Sequence, residues 1–177
     1  MKVTTTKIKA AQCQLREAIR LWFTDGDLTS MHVLAYSAHQ IVADINAARG
    51  GRDLLYDTLN IKDEYRKKWI KIIKDSYNQL KHADKSPDPD YKIMLDTDLS
   101  ELFILFTCFG LELLKAPPGK PERAFAIYFL VLHPELIRDG KQPFKGIPEA
   151  SIVAARTVPK STFWSAFLRT NAKENRG

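Results

Sequence analysis

The sequence predicts an all-α fold, an up-and-down bundle of four main helices carrying a helical C-terminal extension. Three observations lead there. Apolar residues recur at helical steps from Ile8 to Leu132, and no alternating pattern of strand length competes with them. Only 8 glycines and 9 prolines occur in 177 residues, too few for a turn-dense all-β chain, and 45% hydrophobic residues supply a core while 27% charged residues cover it. The bundle is expected over residues 1–115 and the extension over 116–177, packed on it, with the break at Ala116-Pro117-Pro118-Gly119.

Ile8, Ala11, Leu15, Ala18, Ile19, Trp22 and Phe23 make residues 7–24 the first helix, with Arg16, Glu17 and Arg20 turned outward. Gly26, free to adopt the left-handed conformation, closes it, and Asp27 or Thr29 caps the second helix, residues 29–49, which ends at Gly50-Gly51. Its core stripe is Met31, Leu34, Ala35, Ala38, Ile41, Val42 and Ile45. Residues 50–60 connect it to a third helix over 61–83, with Tyr65, Trp69, Ile72, Ile73, Ser76 and Leu80 inward. Helices two and three each span about 30 Å, which favours an antiparallel hairpin.

Pro87 and Pro89 stop the third helix, Tyr91 to Leu95 reads as a short strand-like bridge, and Asp96 or Asp98 caps a fourth helix. From Leu99 to Leu114 that helix has almost no polar face, so it is either central or closed by an interface. Ala124 to Leu132 is a fifth helix behind Pro121, and small helices follow near 148–157 and 160–169, docked through Phe163, Trp164, Phe167 and Leu168; residues 171–177 are expected to fray.

The candidate chemistry lies on the third helix. Lys71, Asp75, Asn78 and His82 stand at i, i+4, i+7 and i+11 and so share one face, with His82 at the helix end. Taken blandly, this is a solvated polar face with a histidine that suits the helix dipole. Taken functionally, an imidazole beside Asn78 and approached by cations is placed for general acid-base work near neutral pH or for holding a phosphate. Lys67, Lys71, Lys74, Lys81 and Lys85 form a basic stripe that would release counterions from a nucleic acid, opposed by the aspartates of the following DKSPDPD loop.

A second seam, His32, Tyr36 and His39, runs along the second helix. Seams of this kind usually lie at the core edge with their ring nitrogens satisfied by neighbours; the alternative is that His32 or His39 meets His82 in a metal site or catalytic pair. Metal-ligand spacing among the histidines is missing, no glycine-rich phosphate loop or nucleophile elbow occurs, and no metal or cofactor is expected.

An apolar helix, then Tyr77-Asn78-Gln79-Leu80-Lys81-His82, a short polar loop and another apolar helix together resemble the HEPN superfamily of small α-helical domains, many of them RNA-cleaving or RNA-binding defence and toxin proteins. By helix order the resemblance covers residues 7–115. The family's site is an arginine followed by a polar residue, usually asparagine, with a histidine a few residues on, at the junction of the last two bundle helices. Asn78 and His82 match the latter two positions, and Tyr77 stands at the arginine's. The resemblance implies an RNA-binding protein of toxin-antitoxin or defence type, a metal-independent endoribonuclease if another cation replaces the arginine. His82 would then be the acid-base, Asn78 would orient it or the phosphate, and Lys71, Lys74 and Lys81 would supply charge. A rival reading is a non-catalytic helical module that binds a protein partner, with a structural polar seam.

A formal net charge of +6 permits attraction to nucleic acid without requiring it. Cys13 and Cys108 fall on different helices and outline neither a disulfide framework nor a zinc site. No signal-peptide h-region is legible and the Leu99 to Leu114 run is too short to span a bilayer, so no membrane contact and a cytoplasmic location are expected. The apolar fourth helix points to a homodimer.

Overall fold

Thr6 starts the first helix, α1 (Lys7–Phe23), by accepting the Lys9 amide on its side-chain oxygen at 3.1 Å. The computed structural model describes residues 2–51, 54–56, 62–82, 84, 87–137 and 149–174. Among these the chain is all-helical, with α2 (Leu28–Ala48), α3 (Asp63–Lys81), α4 (Thr97–Leu113), α5 (Lys120–Leu132), α6 (Glu149–Thr157) and α7 (Lys160–Glu174), two single 3₁₀ turns at Leu54–Tyr56 and Pro134–Leu136, and no strand. Asp27 caps α2 through the Ser30 amide at 2.7 Å, and Asp96 caps α4 through the Leu99 amide at 3.0 Å.

The turn after α1 closes differently from expectation. Asp25, at φ 50, takes the left-handed position, and the Gly26 amide donates to the Leu21 carbonyl at 2.9 Å. Gly26 is needed for closeness instead, because a Cβ there would stand 2.6 Å from Leu21 Cδ2.

The core lies where α1 and α4 pack on α2 and where α5 closes against α1 and α4. Leu15, Ile19, Phe23, Val42, Phe103, Ile104, Leu111 and Phe125 are fully buried there. Burying each large apolar side chain stabilises by roughly 1.5–3 kcal/mol. The apolar fourth helix is thus accounted for mainly by a central position: α4 buries Leu99, Phe103, Ile104, Leu105, Cys108 and Leu111, leaving Phe109 and Leu113 exposed. α6 and α7 pack on α5, where the Tyr128 hydroxyl donates to the Val158 carbonyl at 2.7 Å, and α7 also meets the end of α1, where Phe163 and Trp164 stack on Phe23.

Other expectations change as well. α3 packs on α2 but buries only Ile73 and Ser76, and Tyr65 and Ile72, expected inward, are half exposed. Arg16, expected outward, donates to the fully buried Glu122 of α5 at 2.9 Å, because a carboxylate withdrawn from water needs a cation. Residues 91–95 carry no strand, and among the described residues no strand edge is present for them to pair with. α5 begins at Lys120, since proline is tolerated in a first helical turn, and α7 runs on to Glu174. Lys85 and most of the 50–60 connection lie outside the described residues.

Candidate nucleic-acid interface

Asp63 and Glu64 open α3 and Lys81 closes it, each with the sign the helix dipole favours. Only its Ile73 and Ser76 side is buried, so the opposite side is solvent-facing. Lys67, Lys71, Asp75 and Asn78 are all exposed along that side, and His82, half-buried, follows them at the C-cap, its amide donating to the Asn78 carbonyl at 2.9 Å. The structure therefore brings Lys71, Asp75, Asn78 and His82 onto one open face, as their spacing predicts.

Lys74 and Lys81 border this face on the side nearer α2. The Lys74 ammonium lies 5.0 Å from the Tyr56 ring centre and that of Lys81 lies 6.0 Å from Tyr77's. His82 Nδ1 is 3.9 Å from an Asp84 carboxylate oxygen, an acid where the resemblance asks for a cation. Tyr77 is turned inward and stacks on Tyr36 with centroids 4.0 Å apart. The position that would carry an arginine thus serves as packing between α3 and α2, well round the helix from His82.

The seam on α2 does not join His82. His32 is fully buried between two serines of other helices, Nε2 2.8 Å from Ser76 Oγ on α3 and Nδ1 2.8 Å from Ser100 Oγ on α4. Ser100 gives its proton to the Asp96 carbonyl at 2.9 Å. Its oxygen therefore accepts from Nδ1–H, and Nε2 accepts from the Ser76 hydroxyl. Burial holds the His32 pKa below its ordinary value, with the Asp96 charge opposing.

His39 departs from the usual rule for such seams. It is fully buried against Tyr56 and Phe103, neither ring nitrogen has a hydrogen-bond partner among the described residues, and burial pushes its pKa down to about 3. Tyr36 and Tyr56 both donate to Gln40 Oε1, at 3.2 and 2.8 Å, and Gln40 Nε2 donates to Asp44 at 2.6 Å. Burial raises the pKa of both tyrosines, so both hydroxyls stay protonated. This seam is a structural network under α3. Among the described residues no three histidine, cysteine or acidic side chains are placed to hold a metal ion.

Sequence reasoning missed Ser100 as His32's second partner and Gln40 as the hub of the tyrosines, since neither spacing nor composition marks a contact between helices. Comparison of the chain with models of known families, with curated proteins and with solved structures found no match. Among the described residues no helix is long and apolar enough to cross a membrane.

Proposed function

We propose that this is a HEPN-like RNA-binding protein of toxin or defence type, a four-helix bundle with a helical extension, working in the cytoplasm. The observation that carries the reading is the open face of α3, where Lys67, Lys71 and Asn78 are exposed in line with His82 while Lys74 and Lys81 sit beside them against tyrosine rings. Lysines at helical spacing fit a phosphate chain, and Asn78 with His82 adds hydrogen-bonding groups at its end. Phosphate contact comes first in this reading. Cleavage would have His82 as acid-base with Asn78 orienting it or the phosphate, and it needs a cation that neither Asp84 nor Tyr77 supplies. The exposed Phe109 and Leu113 of α4, one turn apart, would close in a two-fold dimer.

The experiment is titration of purified protein with single-stranded and structured RNA over a salt series, with a chelator present. Binding should weaken with salt, and Lys71→Gln should reduce the log-log slope by about one. Any cutting should vanish in His82→Ala with binding retained. Salt-independent or absent binding would leave the second reading, a protein-interaction module, favoured by Tyr65 at 54% and Ile72 at 50% exposure on the same helix.

A further inference from the structure

At the start of α2, a cleft of about 260 Å³ opens where the end of α1 meets the starts of α2, α4 and α7. Its polar side chains are Glu101, Trp22, Asp25, Thr97 and Lys160, and Leu28 and Met31 form an apolar wall. The Trp22 indole N–H donates to Glu101 Oε1 at 2.7 Å. Lys160 Nζ is 2.7 Å from Asp25 Oδ1 and 4.9 Å from the centre of the Trp22 ring. Two charges are thus paired, and the third is not: among the described residues no cation lies within ion-pair distance of the Glu101 carboxylate, whose one hydrogen bond comes from the indole. Burial raises its pKa and outweighs the indole hydrogen bond and the more distant His133 and Lys160 charges, which lower it.

We propose that this cleft binds a small organic cation, a primary ammonium on a short apolar chain, with Glu101 as its counterion. The ligand's ammonium would meet the Glu101 carboxylate beside the indole N–H, much as Lys160 in the same cleft meets Asp25, while the Trp22 ring stays with Lys160. Leu28 and Met31 suit the alkyl chain. An anion would face two carboxylates and a lysine already engaged.

The test uses the full chain, labelled with ¹⁵N and titrated with n-butylammonium and, separately, n-butyrate, following the Trp22 indole resonance assigned by Trp22→Phe. Butylammonium should shift that resonance saturably, with a dissociation constant on the order of millimolar for so small a ligand, and butyrate should not. Glu101→Gln keeps an acceptor for the indole and should weaken butylammonium binding at least ~10-fold, by loss of a charge-assisted contact. Leu28→Trp, at an exposed position on the wall, should also weaken it and places no demand on the core. No saturable shift, an equal response to butyrate, or undiminished binding by both folded variants would overturn the proposal.

Discussion

α3 and α4 flank the proline-marked loop around Pro87 and Pro89, and they are held by opposite means. α4 is central and held by bulk, with Phe103, Ile104 and Leu111 fully buried. α3 fully buries one large apolar side chain, Ile73, and is joined to the molecule further by a few contacts: the half-buried Trp69, whose indole N–H donates to the Leu55 carbonyl at 3.4 Å, Ser76 to His32, Tyr77 on Tyr36 and Lys74 over Tyr56. A helix held by many dispersion contacts is insensitive to any one polar group, whereas one held by a few directional contacts leaves most of its surface free for a partner. That freedom is what a binding face requires.

The largest effect should come from breaking the α4 side. Phe103→Ala removes a ring against which His32, Tyr36 and His39 all pack, and should lower stability in urea denaturation by ~3–5 kcal/mol. Next is acid. The folded His39 pKa lies near 3, below its unfolded value, so His39 contributes stability that is fully present above about pH 6.5 and is lost as pH falls toward the folded pKa. Over that window the loss should approach roughly 1.4 kcal/mol per pH unit. His32, also held below its ordinary pKa, acts in the same sense. His39→Leu should be neutral or stabilising at pH 7, since among the described residues the ring nitrogens have no partner to lose, and should flatten the acid limb measured by denaturation between pH 4 and 7.

On the α3 side, His32→Ala leaves the Ser76 hydroxyl without its partner. It should cost about 2 kcal/mol, and hydrogen exchange should quicken in α3 more than in α4. A uniform change across both helices would show that α3 is not separately held. The smallest effect is Lys74→Met, which removes the cation over Tyr56 and should cost about 0.5–1 kcal/mol at low salt.

The helical periods and caps were legible because they are local: Asp27 and Asp96 lie beside the amides they bind, and the face shared by Lys71, Asn78 and His82 follows from spacing alone. What periodicity leaves open is the neighbour. Tyr65 and Ile72 read as inward from their apolarity, yet α2 packs mainly on α1 and α4 and meets α3 over a small contact, which leaves both residues half exposed. Tyr77 illustrates the same limit at the site: its place before Asn78 is visible in sequence, while its stacking on Tyr36 depends on a residue 41 positions away that no local pattern indicates. Arg16 and Glu122 are likewise joined only by the fold.

Contact of the open face of α3 with RNA phosphates is measured by the salt dependence of RNA binding in the wild type and in Lys67→Gln/Lys71→Gln. The double variant should reduce the log-log slope by about two units and weaken binding on every RNA sequence alike, with the melting transition unchanged because both side chains are exposed. An unchanged slope in the folded double variant, or wild-type binding that does not respond to salt, would contradict that contact.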